Sequence, residues 1–214
     1  EGRPAAGEDL GRQLQAKMRG GALSAEDLAA CERLIDGDFP RSLQAAAASI
    51  LVERREGDPR ERLRAGMAHR CPEVRSWTVG SAISRCELSD EDLIAAARSL
   101  LEDPDLAVRR SAVRHCLDLG DIGVLDRVLA EADPAEEEAI RFATDLVIQW
   151  DRAHRFAGKA LALLEKATVA QLWSWFGPSA YLRAAEYWKG DDRVDDLLWR
   201  RLVKESDPPR TRDY

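Results

Sequence analysis

The histidines and cysteines are the residues of this chain best suited to metal or nucleophilic chemistry, and their spacing supports neither. His69, His115 and His154 are its three histidines, and none sits in an i, i+4 arrangement resembling a helical metal motif. The segment HCLD sets His115 and Asp118 on one helix, where they read as a solvated pair. Cys31, Cys71, Cys86 and Cys116 show no CxxC spacing. They read as free thiols, mostly buried, in a reducing cytoplasm, with Cys71 in its turn before Pro72 the most reactive. No nucleophile elbow, Walker loop or dinucleotide fingerprint is present. Asp90 to Asp92 and Glu136 to Glu138 belong to first turns of helices, where carboxylates complement the helix dipole. No catalytic residue, metal or cofactor is expected.

Aromatic residues are the second group able to do work, by recognition. All but Phe39 and Trp77 lie at or after Phe142. The stretch from Trp173 to Trp199 reads either as a cap that closes a helical array with bulky side chains or as a partner surface. Trp175 is the first candidate for an exposed anchor, then Tyr187, Trp188 and Tyr181. Arg110 and Arg114, on the outward side of their helix, are the cationic candidates for partner contact.

These residues must be positioned by helices, because apolar positions recur at helical spacing and no segment alternates with period two. Capping signals mark the starts. Asp58-Pro59, Asp103-Pro104 and Asp133-Pro134 each pair a capping carboxylate with a first-turn proline, and Ser24 and Ser89 each precede an acidic residue by three. The predicted helices run over 7–19, 24–36, 40–55, 59–70, 73–87, 89–102, 105–119, 121–132, 135–152, 155–166, 168–176, 178–189 and 191–205.

A Val-Arg step recurs with a period in the thirties. Val74-Arg75 and Val108-Arg109 carry it fully, while Arg41 and Ile140-Arg141 keep the arginine. That period, with small residues following each step, predicts stacked helix pairs that bury their apolar stripes only against neighbours. Arg41, Arg75, Arg109 and Arg141 are expected to form a structural ladder, pairing with acidic residues at the turns, of which Asp38, Glu73, Asp105 and Glu137 are available.

The segment DPDLAVRRSAVRHCLDLGD resembles the HEAT-repeat consensus, and CPEVRSWTVGSAISR, DFPRSLQAAAA and DPAEEEAIRFATDL are progressively weaker copies. The resemblance covers residues 24–152. It implies an all-α fold, a right-handed α-solenoid of stacked antiparallel helix pairs with some twelve or thirteen helices, of the kind that most often serves protein interaction. The expected organisation is an N-terminal tail and capping helix over 1–23, HEAT-like repeats over 24–152, an aromatic-rich helical cap over 153–206 and a tail over 207–214.

Composition narrows the partner. A net charge of −7 weighs against nucleic acid, since phosphate neutralisation requires a basic surface. The longest apolar run, Ala45 to Val52, is too short to span a membrane. The reading is a non-catalytic scaffold, cytoplasmic, whose partner is another protein. Two alternatives stay open. One is a DNA glycosylase resembling the HEAT-like alkylpurine enzymes, for which Trp150-Asp151 offers a superficial match. The other is an acidic regulatory or immunity-type module that binds a basic protein through the carboxylate-rich segment 87–105.

Overall fold

The computed structural model describes residue 16 and residues 23–37, 41–54, 57–133, 135–166 and 186–193, and every regular element among them is helical. The chain divides into two compact units, Glu1–Asp121 and Ile122–Tyr214. The division falls inside the 24–152 stretch that the sequence presents as one run of repeats. No described helix is long and apolar enough to cross a membrane.

The first unit holds α1 (Ala25–Asp36), α2 (Arg41–Arg54), α3 (Pro59–Met67), α4 (Pro72–Arg85), α5 (Asp90–Ser99), a 3-10 turn (Leu100–Glu102) and α6 (Leu106–Asp118). Their starts follow local chemistry. Ser24 and Asp27 form a reciprocal capping box, Asp58 accepts the N–H groups of Arg60 and Glu61, and Pro59 and Pro72 open α3 and α4. One start differs from the sequence reading. Asp103 ends the 3-10 turn, and Asp105 caps α6 by accepting from Ala107 and Val108. The predicted 89–102 helix therefore breaks at Leu100, and Asp103 is left for another partner.

Within this unit α1 packs on α2, α3 on α4 and α5 on α6, while α4 lies against both α2 and α6. Leu34, Ile35, Ala47, Ala48, Ile50, Leu51, Cys71 and Val74 form one buried cluster. Small residues set the spacing. A Cβ on Gly66 of α3 would run into the Thr78 side chain of α4, and one on Gly80 would lie 3.0 Å from Cε1 of His115 on α6.

The second unit holds α7 (Val124–Glu131), α8 (Glu137–Trp150) and α9 (Ala157–Leu164), which pack on one another around Leu125, Ile140, Val147 and Leu161. Asp133 caps nothing in α8. Its carboxylate accepts from Ala135 in the connecting turn, and α8 begins only at Glu137. The helices expected over 7–19, 168–176, 178–189 and 191–205 lie wholly or mostly outside the described residues.

Candidate partner-binding groove

The ladder arginines show how the first unit is tied together. Arg75 places Nε and Nη2 at 2.7 and 2.8 Å from the two carboxylate oxygens of Asp103, and its Nη1 donates to the carbonyls of His69 and Arg70, both at 2.9 Å. Asp103 is 8% exposed, and the fork of the Arg75 guanidinium matches it in both oxygens. Those bonds hold the Asp103 carboxyl below the usual carboxylate range, against the opposing effect of burial. Arg109 repeats half of this pattern, donating to the carbonyls of Asp103 and Pro104 at 2.7 and 3.1 Å. The acidic partner of Arg75 is thus Asp103, and the expected candidates are otherwise engaged: Asp105 caps α6 and Glu73 accepts from the Cys71 thiol. Arg141, in the second unit, lies 4.0 Å from Asp145 on its own helix. The side chain of Arg41 lies outside the described residues.

The acid-rich segment 87–105 is similarly occupied. Glu87 pairs with Arg62, Asp92 with Arg60 at 2.9 Å and Asp103 with Arg75, while Arg98 reaches Asp121 at 2.8 Å. Three of the segment's seven carboxylates thus pair with arginines of α3 and α4.

The anchors expected from the sequence fall differently. Trp175 and Tyr181 lie outside the described residues. Trp188 is not an exposed anchor: it is 5% exposed, its indole N–H donates to the Ala157 carbonyl at 3.2 Å, and its ring meets Tyr187 edge-on at 4.9 Å. Tyr187 is half-buried, stacked on His154 at 4.4 Å, with its hydroxyl donating to Asp151 at 2.9 Å. Burial, and then the Asp151 carboxylate, push its phenol above the ordinary range. Asp151, 1% exposed, also accepts the N–H groups of Arg155 and Phe156 at 3.0 and 2.6 Å. These residues fasten segment 186–193 to the corner between α8 and α9. Arg110 on α6 is half-buried and Arg114 exposed.

The expectation for Cys71 is overturned by its burial at 8% exposure, which raises its thiol, as does its bond to Glu73. Cys31 and Cys116 are pushed up to about 11 by burial, and Cys86 is the exposed thiol. No group of three or more metal-ligating side chains is placed to hold an ion among the described residues.

The site that sequence reasoning missed lies across α2, α4 and α6. An open groove of about 590 Å³ is floored by α4, whose Ser76, Trp77, Gly80, Ser81 and Ser84 follow one another at helical spacing. Ser49, Val52 and Glu53 of α2 form one wall, and Ser111 and His115 of α6 the other. Trp77 is 50% exposed. Five serines contribute to the lining, and two of their hydroxyls are held in place: Ser49 donates to Glu53 at 3.2 Å and Ser84 to the Gly80 carbonyl at 3.0 Å. Arg85 also lines the groove, but its guanidinium donates to the carbonyls of Val52 and Glu53 at the end of α2.

His115 is not the solvated partner of Asp118 that the sequence suggests. It is half-buried, lies over Gly80, and sets Nε2 3.2 Å from Ser111 Oγ and 3.4 Å from the Ser76 carbonyl oxygen. Burial lowers its imidazole below the ordinary value and Arg114 adds to this. The Ser76 carbonyl and Asp118 act in the opposite direction. A weak signal for the groove was present in the sequence: Trp77 stands off the stripe of Val74, Thr78 and Val79 that α4 buries, beside serines repeating at turn spacing. Compared with protein-family models, with curated proteins and with solved structures, the chain matches none.

Proposed function

We propose that this chain is a non-catalytic scaffold for protein–protein interaction, built as a right-handed HEAT-like α-solenoid, and that the groove across α2, α4 and α6 receives its partner. The observation that carries the reading is Trp77, an indole left half-exposed in a groove lined by hydroxyls. Tryptophan is among the residues most enriched at interface hot spots. The stacking of α4 on both α2 and α6 supports the solenoid, as does the shared carbonyl pattern of Arg75 and Arg109. Three buried, unpaired thiols fit a cytoplasmic setting.

The alternatives have less support. Ser111 and His115 are in contact, but Ser111 sits inside α6, where neighbouring backbone N–H groups are engaged along the helix and cannot serve as oxyanion donors. A glycosylase would need a carboxylate facing its substrate, whereas Asp151 is buried and bonded through both oxygens. An acidic docking module would draw on the charge of 87–105, three of whose seven carboxylates are already paired with arginines.

Site-specific photocrosslinking in the source cell tests the reading. A photoreactive residue at Ser84, inside the groove, is expected to give a discrete protein adduct that disappears with Trp77→Ala. The same residue at the exposed Arg64 is expected to give none. Absence of a protein adduct at Ser84, or its persistence without the indole, would overturn the proposal.

A further inference from the structure

We propose that the partner segment is cationic, and that an arginine or lysine side chain stacks on Trp77 while pairing with Glu53. This deepens the scaffold reading and rests on it. The groove offers two fixed attractions for positive charge. One is the exposed indole face of Trp77 on α4, whose quadrupole attracts a cation lying within about 6 Å of the ring. The other is the exposed carboxylate of Glu53 on the neighbouring wall.

The groove's own basic side chains are engaged by other partners. Arg85 is turned onto the carbonyls of Val52 and Glu53, so its charge faces the negative end of α2. His115 is half-buried against Gly80, Ser76 and Ser111, an environment that favours the neutral ring. The serine hydroxyls add neutral polar partners, suited to the backbone or the guanidinium edges of a bound segment. The whole chain carries a net charge of −7, which favours approach of a basic segment over an acidic one.

The experiment uses the full chain labelled with ¹⁵N, following the indole N–H resonance of Trp77, assigned by its loss in Trp77→Phe. Three short peptides serve as probes: alternating arginine and serine, alternating glutamate and serine, and alternating glycine and serine. The arginine peptide is expected to shift the Trp77 resonance to saturation, with Glu53→Gln weakening it several-fold, and in Trp77→Leu binding followed through the backbone amide of Ser84 should weaken by about tenfold. Both positions are solvent-exposed, so neither variant threatens the fold, and Glu53→Lys is expected to transfer preference to the glutamate peptide. Equal shifts from all three peptides, or a preference of the unaltered chain for glutamate, overturn the cationic assignment and leave the groove as the docking site. No shift with any peptide, while the Ser84 adduct still forms in cells, also overturns it. Loss of both the shifts and the adduct sinks the scaffold reading itself.

Discussion

A guanidinium facing a carboxylate away from water is costly to assemble and costlier to break, because removing one partner strands the other. Arg75 and Asp103 are in that position, with side chains 13% and 5% exposed. Asp103→Ala is expected to lower stability by about 3 kcal/mol, measured as a fall in the urea midpoint. Because the folded-state pKa of Asp103 is depressed, its contribution is complete above the ordinary carboxylate pKa and is lost as pH falls through the folded value. Stability should therefore fall with pH between the ordinary carboxylate pKa and the lower folded value, and in Asp103→Asn this acid limb should be shallower, as read from the urea midpoint against pH. His115 has the opposite charge type but the same sign of linkage. Its folded pKa lies below the ordinary 6.5, so stability is complete above that value and declines as pH falls through it towards the folded pKa. In His115→Gln, melting temperature is expected to lose its dependence on pH in that interval, and an unchanged profile would show that the ring is not held neutral by burial.

At the level of elements, the existence of the described helices was legible because caps and apolar spacing act locally. Asp58-Pro59 is a helix start on either level, since Asp58 accepts from Arg60 and Glu61. Asp103-Pro104 looks the same in the sequence and is used otherwise, because Arg75, distant in the chain, competes for that carboxylate. A local rule has no access to that competitor. Helix approach is equally non-local. Gly66 lies in the last turn of α3, where alanine would be the better helix former, yet a Cβ there meets Thr78 of α4. Gly66→Ala is expected to destabilise by about 2 kcal/mol despite its better propensity. Thr78→Ala in the same chain should recover part of that loss, read from a double-mutant cycle in denaturant. In the second unit the Tyr187 hydroxyl supplies one of the bonds to buried Asp151. Tyr187→Phe should cost about 2 kcal/mol, as for a hydrogen bond to a charged group, and speed hydrogen exchange across residues 186–193.

At the scale of the whole molecule, aromatic density and exposure point to different places. The C-terminal run of tryptophans and tyrosines drew the functional expectation, but the described part of it, Tyr187 and Trp188, is packed onto the α8–α9 corner. The isolated Trp77 faces solvent, in a groove that exists only because helices far apart in the chain lie side by side. Serine repeated on one helix face carries no motif, so the groove had to await the fold. Charge then acts over a longer range than any of these contacts. With a net charge of −7, the chain should draw a basic segment by diffusion through a field that added salt screens within about 10 Å at 0.1 M. Raising ionic strength should therefore slow association of the arginine peptide with the Trp77 groove, while Trp77→Leu should act chiefly by hastening dissociation. Stopped-flow measurement across a salt series separates the two effects. An association rate indifferent to salt would mean that the acidic surface takes no part in bringing the partner to the groove.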